Sequence, residues 1–90
     1  MPEWSLLSTH GLVLVSVADK PEVTTREMAD DLGMTERTVQ RAVSDLDSAG
    51  IIKRKRVGRR NRYDVNGEKP LPDPIKPDKS VDDLLNSLTK

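Results

Sequence analysis

Residues 34–50 read MTERTVQRAVSDLDSAG, and both ends of this stretch carry helix-boundary chemistry. The Thr35 hydroxyl can accept a free backbone N–H of a first helical turn, and Gly50 suits the left-handed residue that closes a helix. Between them Val39, Val43 and Leu46, with Ala42 and Ala49 alongside, repeat at helical spacing and make one apolar stripe. The opposite side presents Arg37, Arg41, Ser44 and Ser48, flanked by Thr38 and Gln40. This helix has one face to bury and one polar face that a partner can read.

Upstream, Thr24 and Glu27 have the spacing of a capping box, so a helix starts there, buries Met28, Ala29 and Leu32, and ends at Gly33. Only Gly33 and Met34 separate it from Thr35. Two short helices joined by so short a Gly-containing turn make a helix-turn-helix. Earlier still, Ser8 or Thr9 can cap a first helix that runs to about Ala18 and is stopped by Asp19, Lys20 and Pro21. Val13, Leu14 and Val17 make its inner face, but Leu12, Val15 and Ala18 leave it apolar nearly all round, so it needs cover on two sides. His10 is expected as a surface or packing residue of that helix. Residues 1–7 read as a loose arm whose Trp4, Leu6 and Leu7 must pack somewhere, Trp4 in core or interface rather than as a base-stacking platform.

Downstream of Gly50 the period turns strand-like: Ile51 to Val57, a turn from Gly58 to Asn61, then Arg62 to Val65. Gly58 and Asn61 tolerate the positive backbone angles of a hairpin turn. Tyr63 is expected to anchor this hairpin to the core, with a phosphate contact through its hydroxyl as the alternative. A hairpin that directly follows a helix-turn-helix is a wing. Next comes KPLPDPIKP (69–77), whose four prolines read as an extended strap. From about Ser80 a hydroxyl cap, Asp82 and Asp83 in the first turn and the stripe Val81, Leu84, Leu85 and Leu88 predict a last amphipathic helix. Too short to persist alone, it must dock on the spare face of the first helix, in the same chain or in a partner.

The expected fold class is therefore mainly α with a small β-hairpin: a three-helix winged helix-turn-helix with a C-terminal helix. Residues 1–67 are expected to form the winged helix-turn-helix domain, 68–79 a proline-rich strap, and 80–90 a helix for packing or dimerisation. Ninety residues bury only a modest core. With no cysteine and one histidine, neither a disulfide nor a metal-sensing site is expected, and no cofactor. No apolar run approaches bilayer length and the N-terminus lacks a secretion signal, which points to the cytoplasm.

The net charge is zero, yet its distribution is uneven. Lys53, Arg54, Lys55, Arg56, Arg59, Arg60 and Arg62 put seven cations on the hairpin with no carboxylate between Ile51 and Tyr63. Acidic segments flank this middle, an arrangement that gives a molecule one positive side. A charge run can simply solvate an edge strand. Arginine predominates here, and its planar fork and weak hydration suit phosphate and a narrow minor groove. Arg37 and Arg41 admit a similar choice, a surface pair of Arg41 with Asp45 against base contacts. Their setting between a capped helix and a basic hairpin favours the major groove, where Arg reads guanine and Gln reads adenine. Asn61 is read as a turn-former before a phosphate contact. No nucleophile, base and orienting group are grouped, so no enzyme is expected.

From S-T-H-G-L-V-L-V (8–15) through T-E-R-T-V-Q-R (35–41) to G-R-R-N-R-Y (58–63), the chain resembles the small winged helix-turn-helix transcriptional regulators of the MarR and ArsR type. The resemblance covers about Ser8 to Asn66. It implies a homodimer on a pseudo-palindromic operator, with Arg37, Thr38, Gln40 and Arg41 toward the major groove and Arg59, Arg60 and Arg62 at the wing. The expected double-stranded DNA contacts are Thr35, Arg37, Thr38, Gln40, Arg41, Ser44, Arg54, Arg56, Arg59, Arg60 and Arg62. A dimer seam is expected at Leu12, Val15, Val81, Leu84, Leu85 and Leu88, in preference to an intramolecular lid. The alternative function is a winged-helix protein-interaction module whose basic wing takes an acidic protein partner. Single-strand binding is disfavoured, because Tyr63 is the only aromatic residue in the basic segment.

Overall fold

Side-chain hydroxyls start the first three helices. In a computed structural model, which describes residues 6–70 and 79–89, α1 spans Thr9–Asp19, α2 Thr25–Leu32 and α3 Glu36–Ser48. Ser8 Oγ accepts from the Gly11 N–H at 3.2 Å, Thr24 Oγ1 from Glu27 N–H at 3.0 Å, and Thr35 Oγ1 from Thr38 N–H at 3.1 Å. Each satisfies a backbone donor that has no partner inside its own helix. Gly33, at φ 67°, turns the chain from α2 towards α3, and Gly50, at φ 77°, turns it out of α3. Trp4 and residues 71–78 of the strap lie outside the described residues.

The wing is a two-stranded antiparallel sheet, β1 (Ile52–Val57) and β2 (Arg60–Val65), in a register that runs from Ile52↔Val65 to Val57↔Arg60. Pairing up to Val57↔Arg60 leaves a two-residue turn, Gly58–Arg59, in place of the four residues 58–61 expected. Gly58 has φ 61° and no other residue of the turn has a positive φ, the pattern of a type II′ turn, which matches the strands' twist. Asn61 is therefore corrected from turn-former to strand residue, opposite Arg56. One glycine supplies all the left-handed backbone that the turn needs.

α1 packs against α2, α3, α4 and β2, which explains why it is apolar nearly all round. Val13 and Val17 are wholly buried, and Met28, Val39, Val43, Ile52 and Tyr63 are among the residues that form one continuous cluster with them. Tyr63 is the anchor expected of it: its ring is 2% exposed and its N–H donates to Pro21 O at 2.9 Å. These contacts fix the wing against the turn between α1 and α2.

The last helix, α4 (Val81–Thr89), begins on the chain that follows the wing. Val81 N–H donates to Lys69 O at 2.8 Å and Asp82 N–H to Gly67 O at 2.9 Å. Val81 and Leu85, 1% and 6% exposed, belong to the same cluster as α1. Both side chains are thus buried within their own chain, the intramolecular alternative to the dimer seam expected of them. A tethered helix meets α1 at high effective concentration, an advantage that a second molecule lacks. Of the expected seam, Leu12, Val15 and Leu84 are half-buried and Leu88 is exposed.

Ser80 and Asp83 cap α4 reciprocally: Ser80 N–H donates to Asp83 Oδ2 at 2.9 Å and Asp83 N–H to Ser80 Oγ at 3.3 Å. The backbone hydrogen bond from Ser80, then that from its hydroxyl, holds the Asp83 carboxyl below its ordinary value of 3.8. A depressed carboxyl stabilises the fold above its unfolded value, and the contribution is lost as pH falls through the folded one. Asp83→Asn should therefore melt below the wild type at neutral pH, and the gap should close as pH falls below about 4. Parallel thermal melts measure this, and a gap that persists unchanged into acid contradicts the cap.

Candidate nucleic-acid interface

α3 buries Val39, Ala42, Val43 and Leu46 and leaves Arg37, Thr38, Gln40, Arg41 and Ser44 exposed. Its first turn is well ordered by side chains, because the Thr35 and Thr38 hydroxyls also hydrogen-bond one another at 2.8 Å. Thr35 thus serves first as the cap. Among the described residues no carboxylate pairs with Arg37 or Arg41. The surface pair of Arg41 with Asp45 does not form: Asp45 Oδ2 instead meets His10 Nε2 of α1 at 2.8 Å. Asp47, further along α3, faces Arg54 Nε at 3.5 Å. The carboxylates in the second half of α3 are engaged by other elements, and among the described residues its arginines are not.

The register of the hairpin sorts the cations onto two faces. Ile52, Arg54 and Arg56 share one face with Val65, Tyr63 and Asn61, while Lys53, Lys55 and Val57 share the other with Asp64, Arg62 and Arg60. Arg56 Nε donates to Gly58 O at 3.1 Å, bracing the turn. Arg62, expected to start the second strand, lies mid-strand between two carboxylates, Glu22 Oε1 and Asp64 Oδ1, each at 3.7 Å. Lys55 Nζ meets Asp64 Oδ2 at 3.2 Å. The hairpin cations without a carboxylate partner among the described residues are Lys53, Arg56, Arg59 and Arg60.

The sequence run with no acid therefore acquires acids in three dimensions, from Glu22, Asp47 and Asp64. Only Asp64 was legible, through a strand period that places it on the face of Lys53 and Lys55. All these pairs are substantially exposed, and exposed ion pairs contribute roughly 0–1 kcal/mol. A phosphate, which accepts a bidentate hydrogen bond from arginine, can displace such a partner. Arg59 and Arg60 also line a cleft of about 140 Å³ with Thr24 and Thr25 at the start of α2, so the wing tip and a helix N-terminus add their positive potentials. Lys53 was left out of the expected contact set although it is as open as Arg59.

The geometry is that of two helices set by a tight turn, an exposed second helix and an arginine-tipped wing. A scan of family models matches the Crp-like helix-turn-helix domain over residues 7–65, which takes in α1 to β2. The chain belongs to the Crp-like helix-turn-helix domain family. It is a winged helix-turn-helix protein of the DNA-binding regulator type. The match is to the Crp-like model, and the finer MarR or ArsR kinship stays a resemblance. Neither the curated proteins nor the solved structures gave a match to this chain. No helix among the described residues is long and apolar enough to cross a membrane, and no group of three or more His, Asp or Glu side chains among them could hold a metal ion.

Proposed function

We propose that this Crp-like helix-turn-helix chain is a sequence-specific double-stranded DNA-binding transcriptional regulator. Residues 35–49 enter the major groove and the basic wing, 53–62, rests on the backbone or in the minor groove. The observation that carries this reading is the pair of arginines on the open face of α3, one turn apart, without a carboxylate partner among the described residues. Like charges at that spacing repel by a few tenths of a kcal/mol on a bare helix. An electronegative groove turns that cost into an attraction. Arg37, Gln40 and Arg41 then read base edges, Thr38 and Ser44 flank them, and Arg59 and Arg60 contact phosphates.

In this reading the protein acts in the cytoplasm, by binding and not by catalysis, as a homodimer of the kind that the MarR and ArsR resemblance implies. Leu12, Val15, Leu84 and Leu88, which stay partly open after α4 docks on α1, are the seam residues offered to a second copy. Selection of bound duplexes from a random pool at near-physiological salt tests both parts. Two inverted half-sites about one helical turn apart are expected. A single half-site contradicts the dimer. A pool with no sequence preference contradicts the regulator and favours a winged-helix module for an acidic protein partner.

A further inference from the structure

We propose that His10 is a positioning residue for DNA recognition, which holds Asp45 on α1 so that Arg41 stays free for the groove. The proposal rests on the function proposed above. Asp45 lies one helical turn beyond Arg41 on α3, close enough for their side chains to pair. It does not pair with Arg41, and His10 Nε2 meets its Oδ2 at 2.8 Å across the α1–α3 packing. Both side chains are about half exposed, 50% and 54%. Exposed pairs are individually weak, so a single competing partner decides which of them is made. The imidazole suits this task in either charge state, since a neutral Nε2–H and an imidazolium both donate to a carboxylate.

Two consequences follow for the open face of α3. The guanidinium of Arg41 carries no ion pair among the described residues that DNA must first break. The charge of Asp45, the carboxylate one turn beyond Arg41, is also drawn towards α1 and away from incoming phosphates. Without His10, Asp45 is released to Arg41, and the protein then binds DNA in competition with its own side chain.

The test is a titration of a duplex carrying the selected site with the full-length wild type, His10→Ala, His10→Gln, Asp45→Asn, the double variant His10→Ala/Asp45→Asn, and Arg41→Ala, with a thermal melt of each. His10→Ala should weaken binding about two- to fivefold. His10→Gln, which keeps an amide donor, should recover most of that. Asp45→Asn should bind at least as tightly as the wild type, and the double variant should return to that level even where its melting point stays low. If His10→Ala and Asp45→Asn weaken binding alike and the double variant is no better, the pair is only a strut between helices and the proposal is overturned. If Arg41→Ala weakens binding while every His10 variant binds like the wild type, the proposal fails and the DNA-reading function stands. If Arg41→Ala itself binds like the wild type, the assignment of Arg41 to the groove fails and takes the proposal with it.

Discussion

Tyr63→Ala is expected to destabilise the folded chain by about 3–5 kcal/mol, the range for truncating a buried aromatic ring. The ring is almost wholly buried and sits in the one cluster shared by the three helices, the wing and α4. A domain of this size has a total stability towards the low end of about 5–15 kcal/mol, so the loss removes much of the margin. The hydrogen bond from Tyr63 N–H to Pro21 O belongs to the backbone and does not compensate, because the cavity lies beneath it. Urea denaturation should show a lower midpoint with little change in slope. Tyr63→Phe separates the two roles considered for this residue. Among the described residues no buried side-chain polar atom lacks a partner and none hydrogen-bonds the phenol oxygen, so that oxygen reaches water. Its removal should shift stability by less than about 0.5 kcal/mol. An unchanged midpoint for Tyr63→Ala would refute the anchor, and weakened DNA binding by Tyr63→Phe would assign its hydroxyl to a phosphate.

The second large effect concerns binding. Arg37→Ala should cost about 1–3 kcal/mol on the selected site, the worth of one bidentate contact to a guanine, and should relax preference at one base pair only. Arg59 lies in the wing's two-residue turn, where a side chain meets the backbone of DNA rather than its bases. Arg59→Ala should therefore weaken every duplex alike and reduce the slope of log affinity against log salt by about one. The two arginines differ in position and not in chemistry, which makes the comparison a clean one. Uniform losses from both would mean that α3 contributes charge and no reading of sequence.

Much of the fold was legible because its boundaries are made by local chemistry. Ser8, Thr24, Thr35 and Ser80 each accept the backbone N–H three residues on, and Gly33 and Gly50 adopt the left-handed angles that end α2 and follow α3. The excess apolar surface of α1 required cover on two sides, and the helix is packed by α2, α3, α4 and β2. What covers it was not legible, since a stripe such as Val81 and Leu85 looks the same whether it meets its own chain or another. The hairpin turn was overestimated by two residues because Asn61 is a turn-former by type, whereas pairing continues to Arg60 once Gly58 supplies the positive φ. In the interface, the exposed face of α3 could be read from periodicity alone. The pairings of His10 with Asp45, Arg62 with Glu22 and Arg54 with Asp47 could not. Each joins two elements whose relative placement only packing decides, and each is too weak to have shaped that packing.

The most direct test of sequence reading by α3 is the ratio of two affinities. The wild type is titrated at near-physiological salt against its selected duplex and against a scrambled duplex of the same length and composition. Specific readout predicts a ratio of about 10³ or more. Equal affinities, falling together as salt rises, would show a protein held by phosphates alone and would contradict the account.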